Sequence, residues 1–259
     1  MSKIVVVGGG AAGLELVTRL GKSFARRNQH QVVLVEPASH HYWKPRLHEI
    51  AAGTFDDELD AVSYFQHSYC NQYEYVQAAM TSLNRQDKTI QIRNADGESS
   101  NLSYDYLVIA VGAVSNDFKT QGVSEHCLFL DSAEQAKQAW DQINPLLRRH
   151  GEQHVSIVGA GATGVELAAE LAKVSAKLAR YRQNNKLNIT LIEAAERVLP
   201  AGPECMSAKV LKALTKLGVN VRTNVRINRA EQGKLITSEG EVIGSDLQLW
   251  AAGIKCALG

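Results

Sequence analysis

Apolar positions along this chain fall into two kinds of run, and the same order of runs occurs twice. Ile4, Val5, Val6 and Val7, and later Ile157 and Val158, form short continuous apolar runs of the kind expected for strands buried on both faces. Each run leads into glycines and then into apolar residues at helical spacing. Leu14, Val17, Leu20 and Phe24 predict an amphipathic helix over 11–27, and Leu167, Leu171, Val174 and Leu178 predict its counterpart. Another apolar strand follows in each half, at 31–36 and 188–193, and both end in an acid, Glu36 and Glu193. Short alternating segments at 75–83 and 88–93, with the turn sequence Asn94-Ala95-Asp96-Gly97, predict a β-meander. Strands near 220–227, 234–236 and 241–243 predict a second one. Residues 104–112 (YDYLVIAVG) and 245–253 (SDLQLWAAG) echo each other as apolar strands running into small residues. Between the halves, Asp131 or Ser132 caps a helix carrying Ala133, Ala136, Ala139, Trp140 and Ile143, which Pro145 should kink or restart. Val210, Leu214 and Leu217 mark a further helix that Gly218 can end. The chain therefore reads as α/β, two structural repeats with a boundary near Asn116.

The glycines at the strand-to-helix joints carry chemistry. Both read GxGxxG, as Gly8, Gly10 and Gly13 in the first copy and Gly159, Gly161 and Gly164 in the second. One such match is weak, but two in a strand-turn-helix setting form the dinucleotide fingerprint. Its first glycine makes a tight turn, its second lets backbone approach a pyrophosphate, and its third lets helix pack on strand. The anion would rest on N–H groups at the helix start, between Ala11 and Ala12 in one copy and Ala162 and Thr163 in the other. Glu36 and Glu193 stand where a ribose acceptor belongs, roughly 20 residues on, and a carboxylate there opposes a 2′-phosphate. The plainer alternative for both acids is a solvated strand end.

Composition narrows this only slightly. With 259 residues, 45% of them hydrophobic, the chain can fill two cores. A net charge of +1 supplies no basic field for nucleic acid, and Arg26, Arg27, Arg148, Arg149 and His150 lie where helices should end and complement their dipoles. The apolar run at 4–7 is too short for a signal peptide or membrane span, which makes a cytoplasmic location the default. Cys70, Cys127, Cys205 and Cys256 are scattered, which argues against a disulfide framework, a metal site and a redox dithiol. Residues 40–49 (HHYWKPRLHE) have no clean period; they either cover a ligand or form a satellite core.

At that level of detail the chain resembles the flavoproteins with two dinucleotide-binding domains. The stretches 41–53 (HYWKPRLHEIAAG), 112–118 (GAVSNDF), 161–167 (GATGVEL) and 250–255 (WAAGIK) resemble, more narrowly, type II NADH dehydrogenases, the single-chain NADH:quinone oxidoreductases of respiratory membranes. The resemblance implies two Rossmann-like FAD/NAD(P)-binding domains, each a parallel sheet with helices and a β-meander. Residues 1–115 would form the FAD-binding domain, 116–253 the NADH-binding domain, and 254–259 the start of a return to the first. It also implies that hydride passes from NADH to the flavin and two electrons then pass to a quinone, at the cytoplasmic face of a membrane.

Carried over by position, Gly8 to Gly13 and Glu36 would hold FAD, Lys44 and Pro45 would lie along the flavin, and Met80 would back the adenine. Ala110 and Gly112 would close over that cofactor. Gly159 to Gly164 with Glu193, Ala252 and Gly253 would hold NADH, and Glu166 would project toward the nicotinamide as the catalytic candidate. An acid in a first helical turn is also favoured by the dipole alone, as at Glu15. Val111 departs from a threonine common in relatives. The family's later flavin-binding motif, quinone pocket, amphipathic anchor and peripheral membrane contact have no counterpart in these residues. The expectation is therefore that the 259-residue chain binds NADH better than FAD and does not reduce quinone as it stands. A homodimer is left open, no metal is expected, and the rival readings are a sulfide:quinone-type flavoprotein and an inactive dinucleotide-binding fragment.

Overall fold

A computed structural model describes residues 2–24, 30–55, 61–180 and 185–257. The chain forms two compact units, Met1–Trp43 with Glu58–Ala113 and Cys256–Gly259, and Lys44–Asp57 with Val114–Lys255.

In the first unit a parallel sheet runs in the spatial order Glu74–Val76, His30–Val35, Ser2–Val7, Tyr106–Ile109. The helix Ala11–Phe24 connects the two central strands. Successive side chains of a strand face opposite ways, and here both faces are covered. Val5, Val7, Val33 and Val35 meet Ile90 and Ile92 of the meander on one side, while Val6, Val32 and Leu34 meet Val17 of the helix on the other. This two-sided burial explains why the sequence shows unbroken β-branched runs instead of alternation. The meander is antiparallel, Ala79–Asn84 with Thr89–Arg93 and Thr89–Arg93 with Ser99–Ser103.

The second unit repeats the plan in the order Asn220–Arg222, Asn185–Ile192, Gly151–Val158, Leu247–Trp250, with helix Ala162–Ala179 as the crossover. Val158, Ile192 and Trp250 pack with Ile227, Ala230 and Leu235 of the second meander, Ile227–Glu231, Lys234–Thr237 and Val242–Gly244. The Trp250 indole donates to the Asn116 carbonyl at 2.9 Å, which gives its polar atom a partner inside the core.

Several elements differ from what the residues suggest. Ser132 is the cap of Ala133–Leu146, accepting from the Gln135 N–H, while Asp131 instead accepts from the Ser115 backbone and hydroxyl. Pro145 neither restarts nor divides this helix, because it sits one residue before its end. The strand anticipated over 220–227 breaks at Arg222: Asn224 turns into the left-handed region at φ +57°, and Ile227 begins a separate sheet. Helix Tyr64–Asn71, capped by Ser63, has no apolar period because Phe65 and Tyr69 face outward. The first long helix is described to Phe24, and Arg26 and Arg27 lie outside the described residues.

The unperiodic stretch after residue 40 resolves into the strand His40–His41, a single turn Lys44–Arg46 and the helix Leu47–Ala51. Leu47, Ile50 and Ala51 are buried, and this short helix packs against Ala133–Leu146 and Ala162–Ala179. At Gly53, where φ is +67°, a side chain would run into the Trp140 ring, a Cβ standing 2.5 Å from it. Among the described residues no helix is long and apolar enough to cross a membrane, and no group of three or more His, Cys, Asp or Glu could hold a metal ion.

Candidate dinucleotide sites

The two glycine turns have one geometry. Gly8 and Gly159 both sit at φ +103°, and their N–H groups donate to Val35 and Ile192 at 2.9 and 2.7 Å, tying each turn to the neighbouring strand. A Cβ on Gly8 would stand 2.4 Å from the Ala110 oxygen, and one on Gly159 2.7 Å from the Ala251 carbonyl group. A Cβ on Gly13 or Gly164 would stand 1.9 Å from the carbonyl oxygen of Gly8 or Gly159, so helix and turn touch there. At Gly10 and Gly161, by contrast, a Cβ would meet nothing within 4 Å.

That open space lies at helix starts. The first intrahelical bonds are Leu14 N–H to Gly10 and Val165 N–H to Gly161. The N–H groups of Ala11, Ala12 and Gly13, and of Ala162, Thr163 and Gly164, therefore have no helical acceptor. Room for a group larger than a methyl, beside three donors and the positive end of a helix, fits a pyrophosphate in both units.

The acids close the turns, a role the sequence does not announce. Glu36 accepts from the Gly9 N–H at 2.7 Å and the Ala38 N–H at 3.0 Å. Glu193 accepts from the Ala160 N–H at 2.7 Å and the Ala195 N–H at 2.9 Å. Neither is a solvated strand end. Each carboxylate spans from strand end to glycine turn and still keeps lone pairs for a further donor.

The carbonyl in the middle of each turn is held differently. Ala160 accepts from the Leu199 N–H at 2.8 Å. Gly9 accepts from the Tyr64 hydroxyl at 2.6 Å, and His41 Nδ1 lies 3.0 Å from the same oxygen. Tyr64 is 3% exposed and stacks on Tyr75 at 5.4 Å. Burial, reinforced by the Glu36 charge, pushes its phenol far above the ordinary range, so it acts only as the protonated donor. Sequence reasoning missed Tyr64, since a tyrosine 55 residues from the turn gives no local signal. The clamp explains why this turn has Gly9 where its twin has Ala160: a Cβ on Gly9 would fall 2.5 Å from the Tyr64 oxygen. Gly9→Ala is expected to destabilise the protein by about 2 kcal/mol through overpacking. In a Tyr64→Leu background the same change should cost measurably less, which urea titration of the four-membered cycle reads as coupling.

The other candidates divide between the units. Ala110 donates to Val7 at 2.7 Å, as Ala251 does to Val158 at 2.8 Å, so both echo segments end beside their glycine turn. Gly112 and Gly253 have positive φ, and Gly253 faces the Phe118 ring. Met80, half-buried, packs on the core of the first unit. Lys44 and Pro45 lie in the turn that opens the short helix of the second. Glu166 is the fifth residue of Ala162–Ala179, one turn in and not in the first turn that the sequence suggests, with its carboxylate 3.5 Å from His48 Nδ1.

A profile described as pyridine nucleotide-disulphide oxidoreductase matches residues 2–257. The chain belongs to this family. Within that family it is 38% identical to the type II NADH:quinone oxidoreductase of Haemophilus influenzae, across 99% of this chain and 65% of the relative. A Staphylococcus aureus protein of the same name is 28% identical across 98% of this chain and 65% of its own length. Among solved structures, NDH2 from Plasmodium falciparum in complex with NADH superposes with a TM-score of 0.87 at 25% identity, over 98% of this chain and 55% of that one. The chain thus spans about two thirds of the length of these curated relatives.

The disulphide in the family description has no counterpart in an obvious cysteine pair. Cys70, Cys205 and Cys256 are free and exposed; Cys127 is free and buried, with Sγ 3.7 Å from Gln248 Oε1. Burial pushes the Cys127 thiol up to about 12. A thiol-alkylating reagent at about pH 8 is expected to label the three exposed cysteines and spare Cys127 until the protein unfolds, as mass spectrometry would report. Because the folded thiol keeps its proton above the ordinary thiol value, this group's contribution to stability falls as pH rises through that interval.

Proposed function

We propose that the protein oxidises NADH through FAD and passes the electrons to a quinone at the cytoplasmic face of a membrane, with FAD on the first glycine turn and NADH on the second. The observation that carries this is the duplication itself, since each unit has its own acid-closed turn with an open second glycine. The similarity to type II NADH:quinone oxidoreductases supplies the acceptor. When bound, the flavin accepts a hydride from the nicotinamide and yields two electrons to the quinone.

The chain's own part is to bind and orient. The helix-start N–H groups at 11–13 and 162–164 hold the pyrophosphates, and Glu36 and Glu193 accept from the adenosine ribose hydroxyls. Ala110, Gly112, Ala252 and Gly253 border the turns, Lys44 and Pro45 serve the flavin side, Met80 backs the adenine, and Glu166 addresses the nicotinamide end. No protein nucleophile is required. The sulfide-oxidising alternative needs paired cysteines near the flavin, and Cys127 is a buried neutral thiol.

The test is a visible spectrum under anaerobic conditions with saturating FAD. NADH should bleach the bound flavin, and return of the colour with a soluble quinone would overturn the expectation that these 259 residues do not reduce quinone by themselves. Bleaching by sulfide in place of NADH would overturn the assignment.

A further inference from the structure

Glu166 has a partner that the glycine motif does not provide. His48 Nδ1 lies 3.5 Å from Glu166 Oε2, with the imidazole side chain 16% exposed and the carboxylate side chain 49% exposed. The two residues are far apart in sequence but belong to the same compact unit. The unequal burial indicates which partner is fixed. His48 belongs to Leu47–Ala51, whose Leu47, Ile50 and Ala51 are in the core, and the following Gly53 abuts the Trp140 ring. The neighbouring Glu49 carboxylate is engaged by Arg46 at 2.9 Å, so it does not compete for the ring. Glu166 by contrast stands one turn past the open Gly161, on a side chain with several rotatable bonds and a half-exposed end.

We infer that His48 is a positioning residue: its Nδ1–H draws the Glu166 carboxylate toward one orientation, so that the acid meets the nicotinamide end of a dinucleotide held on the second turn. This rests on the nicotinamide assignment made above for that turn. An imidazole anchored by a buried helix can limit the rotamers of a partly solvated carboxylate at little entropic cost to itself, because its own freedom is already lost on folding. A nicotinamide dinucleotide then meets an acid already oriented for it.

The decisive comparison uses two ligands of the 259-residue chain, NADH and ADP-ribose, which share the adenosine and pyrophosphate but differ in the nicotinamide. His48→Leu is expected to weaken NADH by about fivefold, the loss of one partly exposed charge-assisted contact. ADP-ribose affinity should stay unchanged. His48→Asn, whose side-chain amide places a donor near the Nδ1 position, should recover most of the NADH affinity. In parallel, the 13C signal of the Glu166 carboxylate, assigned with Glu166→Gln, should move in His48→Leu without any ligand present. Equal weakening of both ligands, or no recovery in His48→Asn, would make His48 merely structural and overturn the inference. So would an unmoved carboxylate signal. If the wild-type chain bound ADP-ribose but not NADH, the nicotinamide assignment would fail, while the carboxylate signal would still decide the pairing.

Discussion

Gly164→Ala is expected to unfold the second unit, whereas Gly161→Ala, three residues earlier in the same motif, should leave it folded and remove its ligand. The difference lies in what a single methyl meets. At Gly164 a Cβ stands 1.9 Å from the Gly159 carbonyl oxygen and 3.1 Å from its carbon. Both are backbone atoms, held by the Gly159 N–H bond to Ile192. Relief requires the helix to leave the sheet, exposing Leu167, Ala168 and Leu171. A cost above about 4 kcal/mol follows, a large share of a domain's net stability. At Gly161, φ is −70°, which alanine adopts freely, and no atom lies within 4 Å of the new Cβ. The fold should therefore hold to within about 0.5 kcal/mol. The methyl would occupy the space proposed for the pyrophosphate, so NADH binding should weaken by roughly 1–3 kcal/mol, about fivefold to 150-fold. Thermal melts and NADH titration of the two variants separate the effects. Equal melting temperatures, or full NADH affinity in Gly161→Ala, would refute this division of roles.

The α/β class and the duplicated plan were legible because they are written in short-range patterns. Continuous β-branched runs, helical spacing and glycines at fixed offsets are local signals, and both units carry them in the same order. Gly218 ending its helix at φ +81° is of the same kind. What the residues did not reveal depends on distant partners. Tyr64 reaches Gly9 across 55 positions, and His48 approaches Glu166 through packing among three helices. Helix Tyr64–Asn71 was invisible because its periodicity is spoiled by outward-facing Phe65 and Tyr69. The bonds by which Glu36 and Glu193 close their turns were not legible. A strand-end acid gives no sign that its carboxylate will take two backbone N–H groups until the turn it closes has folded beside it.

The second turn is expected to prefer NADH to NADPH by about a hundredfold, close to 2.7 kcal/mol. Glu193 places an ionised carboxylate at the end of the second strand, fixed by the N–H groups of Ala160 and Ala195. Held by two bonds, it cannot swing away from a 2′-phosphate without opening the turn. Like charges brought within a few ångströms at a partly desolvated site repel by several kcal/mol before screening. Arg222, on the adjacent strand, has its cation already committed. Its carbonyl accepts the Glu193 N–H at 2.8 Å, and its guanidinium pairs bidentately with Glu241 at 2.8 and 2.6 Å. The Glu241 carboxylate in turn raises the Arg222 pKa, so the pair stays charged and closed. Glu193→Ala should weaken NADH by about 1–3 kcal/mol, because a charged acceptor is lost and the turn loses its clasp. The same change should weaken NADPH less and narrow the ratio, and adding Glu241→Ala should narrow it further by releasing the guanidinium. Calorimetric titration of both nucleotides against the three proteins measures this directly. NADPH binding as tight as NADH in the unmodified chain would show that Glu193 does not face the ribose.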